Sequence, residues 1–296
     1  FALPGGTRGL SAVTIPLVVD PGGSGAPVTW DAGFFHPEAF VLNAPSANTN
    51  VVLINALDLA GGSRTIVVGA QEAYLAGGLT NSLFGSGQGG LVKMGAGTLV
   101  LSNESAVLNL QANPGLMVRE GTLRVTGGSI WSQSPANNND YVGRFAGDDA
   151  TLILAGSATY FRSNNYLVVG NDLGCRGTFV VQDNATFWGN YRLMLGNNVG
   201  STGIVIQTGG TVSLSSDTYI GDDGYGRYEL SGGILSNANT YIGNNNTAIG
   251  ILLQSGGVFR ATGTTTLGNN NGAASAYVQL GGTYSGGGQL SLTGSP

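Results

Sequence analysis

One cysteine, one histidine and one lysine are all that 296 residues contain of those three types. Each shortage excludes something. Cys175 alone permits no internal disulfide and offers no thiolate cluster to a metal. His36, beside Pro37, would have to serve any Ser-His-Asp set. No G-x-S-x-G elbow accompanies it, so a packing or surface histidine is expected. Lys93 and the scattered arginines form no cluster that could track a phosphate backbone or an anionic membrane surface, and the net charge is −5. Nucleic acid is therefore not an expected partner.

Charge of either sign is scarce as well: 9% of residues are charged, against roughly 25% in ordinary soluble domains. The surface must be wetted by Asn, Ser, Thr and Gly instead. No run approaches the ~18 consecutive apolar residues of a membrane span, so membrane insertion is not expected. Long segments with a helical period of apolar residues are missing too. The chain opens on Phe1 rather than Met, as a processed product or an excerpt does.

What is present is glycine, 52 residues of it, together with 42% hydrophobic residues. Disordered chains are poor in β-branched residues and rich in charge; here Val, Ile, Leu and Thr recur between the glycines. The recurrence is ordered. An aliphatic residue, Gly and usually two Asn or Asp appear at Val169–Asp172, Leu195–Asn198, Ile220–Asp223, Ile242–Asn245 and Leu267–Asn270, with Val142-Gly143-Arg144 opening the series. The glycines at 143, 170, 196, 221, 243 and 268 are 22 to 27 residues apart. A second mark follows each, as in Gln207-Thr208-Gly209-Gly210-Thr211 and Gln254-Ser255-Gly256-Gly257-Val258. Two marks in register define a true repeat.

Each unit holds three short apolar runs separated by residues that tolerate positive φ, which reads as three strands and tight turns. Strands stacked ~4.8 Å apart bring equivalent residues into columns. One column is Val142, Val169, Leu195, Ile220, Ile242 and Leu267; another is Tyr160, Phe187, Val212, Leu235, Phe259 and Tyr284. Asn197, Asn198, Asn244, Asn245, Asn269 and Asn270 fall in the turns, where stacked amides can bond from rung to rung. The expected fold is all-β: a parallel β-helix, or β-solenoid, with about 25 residues and three short strands per coil.

Three regions are expected. Residues 1–45 hold six of the nine prolines (Pro4, Pro16, Pro21, Pro27, Pro37, Pro45) with Trp30, Phe34, Phe35 and Phe40, and read as an irregular cap, arm or linker. Residues 46–140 form the first coils, and 141–296 the regular repeats. Within 46–140, Gly89-Gly90-Leu91-Val92-Lys93-Met94-Gly95-Ala96-Gly97-Thr98-Leu99-Val100-Leu101-Ser102 and Val118-Arg119-Glu120-Gly121-Thr122-Leu123-Arg124-Val125 closely resemble the autotransporter-associated β-strand repeat. The later units resemble the Tyr-Ile-Gly-Asn repeats of large bacterial surface proteins, many of which carry PEP-CTERM sorting tails. Together the resemblances span about residues 85–292. They imply a right-handed parallel β-helix exported to the cell surface, and no catalytic residues.

Chemistry at a single site is weighed against that background. Asp148, Asp149, Asp172, Asp222 and Asp223 occupy equivalent turns, where paired carboxylates would suit a polysaccharide lyase or hydrolase, with Arg144 and Arg227 the cations nearest in sequence. Asp148, Asp149, Asp222 and Asp223 are also the candidate Ca2+ ligands, although neither an EF-hand nor a nonapeptide calcium motif is present. Tyr219, Tyr225 and Tyr241 are candidates for a sugar-binding face. No catalytic residue and no cofactor are expected. The expected function is an extracellular structural protein that self-assembles head to tail into a bacterial surface fibre or matrix, with Gln289-Leu290-Ser291-Leu292 able to continue a ladder. A monomeric adhesin that binds surface glycans is the alternative.

Overall fold

Glycine and asparagine turn the chain three times in every coil, and short β-branched runs fill the sides between turns. In the computed structural model, which describes residues 5–21, 23–83, 85, 88–133, 139–270, 273–287 and 290–292, one such coil runs through strands Thr218–Ile220, Tyr225–Leu230 and Ile234–Asn237. The next begins at Thr240, where Tyr241 pairs with Tyr219. Among the described residues there is no helix.

The sides stack into long sheets. A first sheet of 12 strands runs from Thr7–Leu10 to Leu290–Leu292, and a second of 11 from Leu17–Val19 to Ala274–Gln279. A third of 8 runs from Val107–Leu110 to Thr283–Tyr284; a short fourth of 3 takes its place in the earliest coils, at Val28–Thr29, Leu57–Asp58 and Leu79–Thr80. Strands pair in parallel with the equivalent strand one coil away, as Arg176–Val181 does with Thr202–Gln207. The fold is thus a parallel β-solenoid with a repeat of roughly 25 residues.

Strand alternation sends every second side chain inward, where columns of like residues form one continuous core. Val142, Val169, Leu195, Ile220 and Ile242 are fully buried in the first sheet, as are Tyr160, Phe187, Val212, Leu235 and Phe259 in the third. Leu267 and Tyr284, in the last coils, pack against the core while partly exposed. Each buried aliphatic contributes ~1.5–3 kcal/mol before entropy is subtracted. No coil has a core of its own, so stability comes from contact between neighbours.

The repeated glycine has a backbone cause. Gly221 sits at φ 75°, a conformation that costs a residue with a Cβ. A Cβ there would also lie 2.4 Å from the Ile249 carbonyl oxygen. Facing it, a Cβ on Gly226 would lie 1.9 Å from Gly221 N, so the second sheet closes directly onto the turn.

Residues 7–38 are the first coil, paired with the second rather than detached from it as an arm or linker. Thr7–Leu10 pairs with Ala39–Leu42, and Leu17–Val19 with Val51–Leu53. This coil is longer than the rest, and its extra length packs Trp30 and Phe35 with Phe40 edge to face at 5.0–6.3 Å. Trp30 Nε1 donates to the Pro37 carbonyl at 2.7 Å. The sheets run unbroken past residues 45 and 140. Pro4 and Gln289 lie outside the described residues.

Candidate functional site

The Gly-Asn turns stack along one corner between the first and second sheets. Asn197 donates its amide to Asn171 Oδ1 at 2.9 Å, Asn244 to Asp222 Oδ1 at 2.6 Å, and Asn269 to Asn244 Oδ1 at 2.8 Å. One residue further on, Asn198 donates to Asp172 at 3.1 Å and Asn270 to Asn245 at 3.1 Å. The aspartates are therefore members of amide ladders. Burial pushes the Asp222 carboxyl above its ordinary range, and the bond from Asn244 opposes that rise. Asn198 lies between Asp172 and Asp223 in the stack, so these carboxylates are two rungs apart and do not pair.

Asp148 and Asp149 point different ways. Asp148 is buried: it accepts from Arg119 Nε at 3.2 Å and Nη2 at 3.0 Å, and from the backbone N–H groups of Arg144 and Phe145 at 3.1 and 2.9 Å. Its bonding capacity is spent on the turn. Asp149 is exposed at the start of a second-sheet strand, between Glu120 and Arg176 of the adjoining coils. It lines an open depression with Ala96, Glu120, Gly121 and Gly147, where its carboxylate neighbour is Glu120, which the sequence reading did not single out. Among the described residues, no three of His, Cys, Asp and Glu converge on a cation position. Arg144 covers the rings of Tyr141 and Phe145, and Arg227 pairs with Glu229 at 3.0 Å on the second sheet. Neither side chain forms an ion pair with an aspartate among the described residues.

His36 and Cys175 each lie against a backbone carbonyl. His36 Nε2 lies 3.0 Å from the Gly33 carbonyl, and Asp31 beside it is held by Arg64 at 2.7 Å. Cys175 is buried with Sγ 3.6 Å from the Gly143 carbonyl; burial raises its pKa and keeps it a thiol.

Charged groups that composition alone could not locate stand inside the solenoid. Lys93 occupies the aliphatic column between Ile66 and Val118, wholly buried, its Nζ donating to the carbonyls of Gly95 at 2.7 Å and Glu120 at 2.8 Å. Burial lowers its pKa to about 7, with Glu120 acting in the opposite sense. Asp140 stands in the neighbouring column between Leu116 and Leu167, and Arg162 reaches it from the third sheet. Arg162 has room because the residues stacked on either side of it are Ser132 and Gly189.

Two aromatic surfaces lie outside. On the first sheet, Tyr219 and Tyr241 stack at 4.8 Å and 20°, and Arg192 covers both Tyr166 and Tyr219. Tyr219 is largely buried in this cluster, and its pKa is pushed up to about 12 by burial. Tyr225 belongs to the second sheet, so the three tyrosines do not share a face. On the third sheet, Trp131, Phe161 and Trp188 form a ladder, with centroids 5.1 and 5.5 Å apart. The sequence carried a signal for this ladder: each ring follows a core residue (Ile130, Tyr160, Phe187), and alternation turns the next side chain outward.

No family model matches the chain, and no curated protein or solved structure matches it either.

Proposed function

We propose that this solenoid is a structural rod of a bacterial cell exterior, extended by head-to-tail pairing of its end coils into a fibre or matrix. One observation carries the reading: among the described residues, the outermost strand of each sheet has a neighbour on one side only, with apolar side chains beside it. At one end Leu10, Leu17 and Val19 only partly enter the core, and Val18 is 63% exposed. At the other, Tyr277 and Tyr284 are partly buried and Val278 is 40% exposed. The sequence has no charged residue beyond Arg260, so the charges that guard most sheet edges are missing from the last coil.

The columns also match. Leu17, Val18 and Val19 head the same second-sheet columns that end in Tyr277, Val278 and Gln279. A second copy placed in register would set those three residues over the first three. Because the two ends differ, the contact is heterologous and continues as an open filament unless rotation closes it. The motif resemblance and the low charge support the placement at the cell surface. On this reading the chain does no chemistry, and its acidic turns serve the stack.

Sedimentation across a concentration series tests the proposal. Growth of the native protein into polymers, abolished by Val278→Lys at the edge strand, is expected. A monomer at all concentrations would reject it. A second reading, a rod that holds glycans along its side, is favoured by the third-sheet aromatic ladder.

A further inference from the structure

We infer that the outer face of the third sheet is a binding platform for a neutral, extended polysaccharide, lying along the solenoid axis over Trp131, Phe161 and Trp188. Trp131 and Trp188 are 41% and 53% exposed, a large aromatic area left open to solvent. The rings come from three successive coils, so the first and third stand two rungs, about 10 Å, apart. That span accommodates two linked sugar rings. The flat C–H faces of a pyranose carry slight positive charge and stack on the negative face of an aromatic ring.

The polar partners of such a ligand are present as well. On each of the three strands, a hydroxyl precedes the ring by two residues and so shares its face: Ser129, Thr159 and Thr186. None of these hydroxyls is engaged in a hydrogen bond within the described residues, and all are partly exposed. Each rung thus offers one stacking surface and one free hydroxyl. The two columns continue to Val107 and Asn109 on one side and to Thr211 and Ser213 on the other without a charged residue. Within these five rungs an acidic polymer would find no cation in either column and a basic one no carboxylate; Arg260 enters the ring column three rungs beyond Trp188. The aromatic-hydroxyl pairing matches a neutral sugar chain, which presents a C–H face to each ring and hydroxyls beside it.

Affinity electrophoresis of the full chain in gels containing hydroxyethyl cellulose, xylan or polygalacturonate tests the inference. Retardation by at least one neutral polymer and not by polygalacturonate is expected. Trp131→Ala with Trp188→Ala should weaken it on the order of tenfold or more, with the thermal unfolding midpoint nearly unchanged. The near-isosteric Thr159→Val with Thr186→Val keeps the rings and should weaken binding severalfold. Tyr241→Ala, on another sheet, should leave it intact. Free migration of the native protein in both neutral gels would overturn the inference. So would full binding by the double tryptophan variant, or equal retardation by polygalacturonate. A tryptophan variant that loses only lateral self-association would assign the face to a second copy and overturn it too.

Discussion

Arg162 Nε lies 3.4 Å from Asp140 Oδ2 in the interior of the solenoid, with the two side chains 1% and 0% exposed. The carboxylate is completed by the backbone N–H of Leu116 at 2.8 Å and by the hydroxyl of Tyr160. Burial holds the Tyr160 phenol well above its ordinary pKa, so it remains a donor. Removing one partner from such a pair strands the other charge in a low-dielectric core.

Asp140→Leu is therefore expected to destabilise the protein by about 3–5 kcal/mol. The double variant Asp140→Leu, Arg162→Met should recover part of that loss, because no charge is left behind. Urea unfolding of both single variants and the double closes the cycle. Additive losses would show that the pair is not coupled.

The amide ladder makes a different prediction. Asn244 donates to Asp222 and accepts from Asn269, so Asn244→Asp exchanges a donor for a second carboxylate against Asp222. A loss on the order of 1–3 kcal/mol is expected at pH 7. The loss should shrink near pH 4, where one of the two carboxyls can bind a proton. Unfolding at both pH values, relative to the unaltered protein at each, measures it.

Lys93 should make stability rise with pH. Its pKa is about 7 in the fold and near 10.4 in an unfolded chain. Between those values the unfolded state holds the extra proton. Unfolding free energy therefore climbs with pH by up to about 1.4 kcal/mol per unit. Below about pH 7 both states are protonated and the cost of the buried charge is constant. Lys93→Met should remove this slope between pH 7 and 9.5; equal slopes in the two proteins would contradict the assignment.

At Gly221 a single methyl group suffices. Gly221→Ala meets both positive φ and a carbonyl 2.4 Å from the new Cβ, with an expected loss of at least about 1–2 kcal/mol. Gly147→Ala is the comparison: its φ is 85° but nothing lies within 4 Å of a Cβ. It should cost less. A larger loss at Gly147 than at Gly221, in denaturant midpoints, would remove the close-approach argument.

The coil was legible because its cause is local. In the regular repeats Gly at positive φ recurs where the first sheet turns into the second, from Gly143 to Gly268, and the aliphatic residue before it packs into the core. The Asn ladder followed from the same register. The first coil was less legible: Pro16, Pro21 and Pro27 hide its strands, and its pairing depends on residues such as Val51–Leu53 that are distant in sequence. The interior ions were illegible for a related reason. Arg162 is tolerated only because Ser132 and Gly189 lie beside it in neighbouring coils, and each looks ordinary within its own unit. The outer aromatic ladder needed only the alternation around Tyr160 and Phe187. The acidic turns drew attention as chemistry, yet Asp148 and Asp222 spend their oxygens on turn N–H groups, Arg119 and Asn244.

Negative-stain electron microscopy of the concentrated native protein beside Ala276→Lys, Val278→Lys tests the central claim most directly. Twelve stacked strands give a single solenoid a length of about 50 Å. The account predicts unbranched rods of one solenoid's width and many times that length for the native protein, and single short particles for the variant. Native protein that remains as single short particles, or a variant that still forms the long rods, would contradict it.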